Sequence, residues 1–339
     1  MSITLQYNND LTRKVWIANR NESLGASEVS PVCFGSTYTS NIQIFYEKVS
    51  GIKKGIENIR TYTGRKSEDI TDQFYPYYEG TEDSIYLNEE AGRILRRVEN
   101  RNVTGRNSDF PHLTATPDRW AFPPNSTNEK DSWLVEYKNT QSYVMKQYKP
   151  NLPLDNVIQL LTQENVFKKD YGELFYYIDN LRFELYPMER KSLKNQWQVV
   201  LDRTTPFWEN VLKARPLYNQ MYEAKRLFNF KLAAELEYAI QQLEPPVQHS
   251  AGYLNFINQN YASRASLGGK EAVAAEVEKA KRYRDLAKKI DKLEKEKQQM
   301  EIDLKVAMKD ATVLNLGKNG TVSWQQYENR KVFKVNYKD

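Results

Sequence analysis

The stretch His112-Leu113-Thr114-Ala115-Thr116-Pro117-Asp118-Arg119-Trp120, followed after a polar loop by Trp133-Leu134-Val135-Glu136-Tyr137-Lys138, decides how this chain is read. Pro117 fixes its own φ and holds Thr116 to extended backbone. Residues 133–138 are rich in aromatic and β-branched side chains and read as a strand. Strand alternation puts Leu134, Glu136 and Lys138 on one face and Trp133, Val135 and Tyr137 on the other. Between the two runs, Pro123, Pro124, Asn125 and Ser126 supply turn chemistry, so 112–138 is predicted to be a hairpin. Such a hairpin returns Asp118 to the side of Glu136: two carboxylates for a divalent metal, with one ammonium beside them. Taken alone, the same residues also describe a surface hairpin carrying an ordinary Glu/Lys pair.

Composition narrows the chemistry. With 27% charged and 40% hydrophobic residues in 339, the chain is expected to be a soluble folded protein of one large domain plus an extension, or of two domains. No apolar run approaches a membrane span, and Met1–Tyr7 lacks the pattern of a signal peptide. The single cysteine, Cys33, excludes an internal disulfide framework, fits a reducing, cytoplasmic setting, and sits between Val32 and Phe34 as a buried thiol would. Two histidines, His112 and His249, leave little room for a His/Cys zinc site or for histidine acid–base chemistry. Any hydrolysis is expected to use carboxylates and a hard metal. A formal charge of +5 and a pI near 8.9 permit nucleic-acid binding without requiring it.

Upstream, Arg20 precedes Gly25-Ala26-Ser27, small residues that open a predicted helix. Free N–H groups at a helix start, the Ser27 hydroxyl and Arg20 could together grip a phosphate; the alternative is a plain cap with a solvated arginine. Gly64 starts a second predicted helix, with Glu68 in its first turn, where a carboxylate suits the dipole. Residues 80–84 read as a loop and 89–98 as a short helix or a helix-to-strand transition. Its Arg93, Arg96 and Arg97 are either a solvated face or a DNA-backbone contact.

Downstream, Lys146 and Lys149 lie in a run read as strand-side, with Lys146 a candidate phosphate contact. Pro153 opens a helix to about Phe167 on which Asn156, Gln159 and Gln163 form one stripe. Residues 174–178 and 181–186 read as a hairpin turning at Asp179-Asn180. A helix from about 190 to 212 follows, with Pro206 expected to kink or interrupt it. Beyond 215, a helical connector (216–269) with a Gly268-Gly269 hinge leads to a Glu/Lys/Ala-rich segment. There Leu286, Ile290, Leu293, Met300, Leu304 and Ala307 alternate at four- and three-residue steps, interrupted by Lys297, as in a coiled-coil arm. A small β-meander with an Asn319-Gly320 turn ends the chain.

Pro117-Asp118…Glu136-Tyr137-Lys138 resembles the PD-(D/E)xK nuclease core. Together with Arg20…Gly25-Ala26-Ser27, Gly64…Glu68 and Gln159, in that order over about residues 16–215, it resembles the lambda-exonuclease, or YqaJ-type, viral recombination nucleases. The resemblance implies an α/β (α+β) restriction-endonuclease-like core over 1–215, a central mixed sheet flanked by helices. The coiled-coil arm and meander of 270–339 are similar to appendages on some YqaJ-type proteins. It implies a site of Glu68, Asp118, Glu136, Lys138 and Gln159, with one or two Mg²⁺ ions (Mn²⁺ substituting) on Glu68, Asp118, Glu136 and the Tyr137 carbonyl. Arg20, Ser27, Arg119 and Lys146 would meet DNA phosphates, although Arg119 stands where the family commonly has glycine. The activity implied is 5′-to-3′ digestion of linear double-stranded DNA leaving 3′ single strands, in the cytoplasm of a bacterial host if phage-encoded. A homo-oligomer, a trimer by resemblance, and a single-strand annealing protein are the implied associates. A structure- or site-specific endonuclease on the same core, and a catalytically silent DNA-binding or scaffold protein, are the competing readings.

Overall fold

The computed structural model describes residues 2–8, 13–52, 59–261, 271–309, 311–327 and 330–337. The chain divides into two compact units, Met1–Arg264 and Ala265–Asp339. The first opens with β1 (Ile3–Tyr7), α1 (Arg13–Asn21), β2 (Leu24–Gly25), α2 (Ala26–Phe34), α3 (Asn41–Ser50), α4 (Ile59–Phe74) and α5 (Glu82–Glu90). Strands β3 (Arg97–Glu99), β4 (Val103–Asn107), β5 (Leu113–Ala115), β6 (Arg119–Phe122) and β7 (Trp133–Thr140) follow. Next come α6 (Ser142–Tyr148), α7 (Leu154–Phe167), β8 (Tyr171–Ile178), β9 (Arg182–Glu189), α8 (Lys194–Arg226), α9 (Phe230–Gln241) and α10 (Ala251–Tyr261).

These strands make two mixed sheets flanked by helices, in the orders β1-β4-β5-β2 and β3-β6-β7-β8-β9. The predicted hairpin is present: β6 and β7 are antiparallel, with Arg119 opposite Val135 and Ala121 opposite Trp133. Strand β7 then pairs in parallel with β8, which requires a crossover, and α6 with α7 supply it. Burial on both faces fits the apolar Leu174–Ile178 run of β8, while β7 is buried over Leu134–Tyr137 even though Glu136 lies within that span. One face of β7 points Leu134 into a core shared with Leu160 and Leu161 of α7. The other packs Val135 and Tyr137 against Tyr75, Phe175 and Phe183. Helix α7 touches β4, β5, β7 and β8, so it spans both sheets, and α2 lies along it.

Helix α4 is fastened to the second sheet by a charge clamp. Asp72 accepts from Arg119 Nε (2.7 Å) and Nη2 (2.6 Å), and from the Tyr137 hydroxyl at 3.0 Å. The Arg119 side chain is only 3% exposed, and the same guanidinium donates to the carbonyl of Asp118. Arg119 is therefore corrected from a phosphate contact to the residue that docks α4: its donors are committed inside the protein.

Several further expectations are revised. Helix α4 begins at Ile59, so Gly64 and Glu68 lie within it and the first-turn dipole argument for Glu68 falls away. Helix α5 starts at Glu82 behind the N-cap Thr81, within the stretch read as loop, and gives way to β3 at Arg97. Lys146 lies exposed on helix α6 rather than on a strand. Helix α8 runs through both Pro206 and Pro216. A buried stripe including Trp197, Phe207, Trp208 and Met221 outweighs the lost backbone bonds, about 3 kcal/mol per interior proline. Because α8 crosses residue 215 and α9 packs back on it, residues 216–264 belong to the first unit instead of forming a separate connector. The Gly268-Gly269 hinge lies outside the described residues. The β8–β9 turn stands as read, with Asp179 and Asn180 both at positive φ, 53° and 58°, as a type I′ turn requires.

In the second unit, α11 (Ala274–Met308) precedes β10 (Val313–Asn315), β11 (Gly320–Tyr327) and β12 (Arg330–Tyr337), an antiparallel meander in that order. Lys305 reaches over the rings of Trp324 and Phe333 and Met308 is buried, so the meander covers the C-terminal end of α11.

One buried acid stands apart. Glu164 of α7 is fully enclosed, and both carboxyl oxygens lack a hydrogen-bond partner among the described residues. Gly172 of β8 makes room for it: a Cβ there would lie 2.9 Å from Glu164 Oε1. Burial pushes the Glu164 carboxyl up to about 8, with Arg190 opposing and Asp170 adding to the shift.

Two outcomes follow from this packing. Arg119→Ala leaves Asp72 with the Tyr137 hydroxyl but without its cation, and urea unfolding followed by circular dichroism should show a loss of about 2–3 kcal/mol. That is below the ~3–5 kcal/mol of a fully buried pair because the Asp72 side chain is 32% exposed. For Glu164, the folded protein keeps a proton that the unfolded chain releases above its ordinary value of 4.5. Stability therefore falls as pH rises from about 4.5 to about 8 and levels off above. Glu164→Gln should flatten that part of the melting-temperature profile, the variant gaining on wild type at pH 8–9 relative to pH 5; identical slopes would refute the assignment.

Candidate active site

The antiparallel register of β6 and β7 leads Asp118, one residue before β6, to the level of Glu136 and Tyr137 on β7. Asp118 Oδ2 accepts from the Tyr137 backbone N–H at 2.8 Å. Glu136 is 3% exposed and ringed by donors. Its Oε1 accepts from Lys138 Nζ at 2.7 Å and from the Gln159 amide, and its Oε2 from the Gln163 amide at 2.6 Å. Lys138 Nζ also donates to Gln159 Oε1 at 2.9 Å. The strand thus presents Glu136 and Lys138 to α7, one turn of which answers with Gln159 and Gln163. Glu68 reaches the group from α4, with its Oε2 3.4 Å from Arg119 Nη1.

The electrostatics are those of acids crowded with too few cations. Burial raises the Asp118 carboxyl well above its usual range; Glu136 and Glu68 push it further, and Lys138 only partly opposes them. Glu68 is raised too, first by burial, with Arg119 pulling down and Glu136 pushing up. Burial works against the charge on Lys138, but Glu136 and Asp118 outweigh it and hold the ammonium above its ordinary value.

Oxygen donors from three acids and the Tyr137 carbonyl, with no histidine or cysteine, are the type of set a hard divalent cation takes. The repulsion among them is what such a cation would relieve. Even so, among the described residues no three acidic, His or Cys side chains are gathered tightly enough to form a closed metal cluster. Glu136 is instead held by Lys138 and the two amides, and Glu68 leans toward Arg119.

A second constellation lies at the start of α2. Arg20 Nη2 is 3.4 Å from the Ser27 hydroxyl, so the two residues singled out by spacing do meet. Gly25 leaves room for the guanidinium: a Cβ there would come within 2.8 Å of Arg20 Nη2. Behind them Glu28 accepts from Lys48 Nζ at 2.7 Å and from the Gly25 N–H at 2.8 Å. Strand β2 pairs in parallel with β5, with Gly25 opposite Thr114, and β5 leads within a few residues to Asp118. Lys146 is not brought to either constellation; it stands near Asp179 at the β8–β9 turn.

Asp72, Gln163, Glu28 and Lys48 were not picked out as site residues. Asp72 sits four residues after Glu68 on the same helix face, and Gln163 four after Gln159 on the amide stripe, so helical spacing could have found both. Nothing in the sequence marks Lys48, whose partner is 20 residues away in another helix. Cys33 is buried as expected, its thiol pushed up to about 12 by burial, which leaves it unreactive.

No helix among the described residues is long and apolar enough to cross a membrane. Comparison with curated protein sequences found no match. Among solved structures the chain is similar to an alkaline exonuclease, LHK-Exo, from Laribacter hongkongensis: 14% identity, 62% of this chain, 98% of that one, TM-score 0.42. The same enzyme in complex with dAMP gives 14% identity, 64% and 99% coverage and a TM-score of 0.41. The model of the YqaJ-like viral recombinase domain matches residues 15–167, a span that holds Arg20, Ser27, Glu68, Asp118, Glu136, Lys138 and Gln159. Over residues 15–167 the chain is thus similar to the YqaJ-like viral recombinase domain.

Proposed function

We propose that the protein is a metal-dependent deoxyribonuclease that hydrolyses phosphodiester bonds at Asp118, Glu136 and Lys138. The observation that carries this is the juxtaposition itself: the β6–β7 register bonds Asp118 to the Tyr137 N–H while Lys138 and Gln159 converge on Glu136. Glu68, Asp118, Glu136 and the Tyr137 carbonyl are the groups that would hold one or two Mg²⁺ ions, with Mn²⁺ able to substitute. When bound, the ion supplies Lewis-acid polarisation of the phosphate and a water of lowered pKa.

The remaining chemistry belongs to this chain's residues. Lys138 keeps its proton, because the acids beside it outweigh burial. There it would lower the pKa of the attacking water or stabilise the phosphorane oxygens. Gln159 bridges Lys138 and Glu136 and fixes the ammonium's position; an amide does so without competing for metal. Arg20 and Ser27 at the start of α2 offer a guanidinium, a hydroxyl and free backbone N–H groups to a DNA phosphate.

The finer reading is 5′-to-3′ digestion of linear double-stranded DNA leaving 3′ single strands, with a homo-oligomer and a single-strand annealing protein as associates. The match of residues 15–167 to the model of the YqaJ-like viral recombinase domain supports it.

The test is digestion of end-labelled duplex with Mg²⁺. Linear, 5′-phosphorylated DNA should be degraded and closed circular DNA spared; cutting of the circle would favour an endonuclease. Asp118→Ala or Lys138→Ala should lower the rate by on the order of 10²–10³-fold or more while the circular dichroism spectrum and DNA retention persist. Wild-type activity in either variant would refute the assignment. Arg20→Ala should narrow the preference for a 5′-phosphate over a 5′-hydroxyl end, read as a ratio of rates.

A further inference from the structure

Helix α11 carries an apolar seam that its own unit leaves bare. Tyr283, Leu286, Ile290, Leu293 and Met300 follow the heptad steps of one helix stripe and are all exposed, Ile290 at 56% and Leu293 at 62%. The meander covers the helix only around Lys305 and Met308, beyond the last of these residues. Between Tyr283 and Met300 charged side chains dominate the other faces, and some pair along the helix, as Lys295 does with Asp291 at 2.8 Å. Arg282, Lys289 and Glu296, which flank the seam, have no ion-pair partner among the described residues.

We infer that this seam is an interface with a second copy of the chain, paired antiparallel. The flanking charges choose the partner and its direction. With the seam residues at heptad positions a and d, the charged flank at g reads Arg282, Lys289, Glu296, Asp303. Two basic residues followed by two acidic ones complement themselves on reversal. In an antiparallel pair Lys289 faces Glu296 of the second copy and Arg282 faces its Asp303, and two-fold symmetry repeats both contacts. The same register sets Tyr283 against Met300, Ile290 against Leu293, and Lys297 against Leu286, whose apolar surface the lysine stem can cover while its ammonium reaches water. A parallel pair would instead stack Lys297 on Lys297 inside the seam and set Glu296 against Glu301 on both sides. The seam from Tyr283 to Met300 is centred on the symmetric register and stops short of the meander.

The inference stands apart from the nuclease reading, and disulfide trapping in the full chain tests it. The only native cysteine is buried, so introduced thiols report alone. Lys289→Cys and Glu296→Cys chains, mixed under reducing conditions and then oxidised, should give a two-chain species on a non-reducing gel, whereas each variant alone should not. Adding Leu293→Glu to both should cut the yield at least several-fold with helix content unchanged. No product from the mixture, equal product from either variant alone, or insensitivity to Leu293→Glu would overturn it.

Discussion

The hydrogen bond from the Tyr137 N–H to Asp118 is the constraint on which the site depends. Asp118 is not in a strand; it precedes β6, with Pro117 limiting the approach. Its carboxylate is fixed because β6 and β7 pair in one register, and a slip of one residue would turn Glu136 and Lys138 to the face now holding Tyr137. That face is filled by Tyr75, Phe175 and Phe183, so the slip would bury two charges among aromatic rings. The hydrophobic pattern of β7 thus specifies the geometry of the acids. Arg119, next in sequence, turns its guanidinium the other way and holds α4, and with it Glu68, against the same two strands.

The cost of this arrangement is electrostatic. Burial and mutual repulsion raise Asp118 and Glu68 despite the Lys138 ammonium, two amides and an arginine, Arg119, that Glu68 shares with Asp72. Such imbalance destabilises a fold and persists where a cation completes the group. The hydrogen bonds that hold Glu136 to Lys138, Gln159 and Gln163 show how the protein tolerates the acids by itself.

Much of this was legible in the sequence because it rests on local patterns. Alternation over 133–138 placed Glu136 and Lys138 on one face, the Pro/Asn/Ser loop signalled the hairpin, and the Asp179-Asn180 turn followed from its residue types. The resemblance, in turn, supplied Gln159 and brought Arg20 and Ser27 together. What was missed depends on contacts between distant segments. Arg119 read as a phosphate ligand because nothing near it reveals that Asp72 claims its donors. Pro206 read as a kink or interruption because single-residue rules omit the apolar stripe that packs α8 across it. Lys146 read as strand because Tyr143 and Val144 suit one, yet the run forms the first helix of the β7–β8 crossover. Residues 216–264 also group with the core rather than standing as a connector, since α8 and α9 pack as extensions of it.

The central claim is that the acids around Asp118 bind a hard divalent cation, and metal binding without DNA tests it most directly. Titration of the apo protein with Mn²⁺, followed by the loss of free-ion signal in electron paramagnetic resonance, should show one or two bound ions in wild type and displacement by excess Mg²⁺. Asp118→Asn should abolish or strongly weaken that binding while the fold is retained. Absence of binding in wild type, or undiminished binding in the variant, would contradict the account.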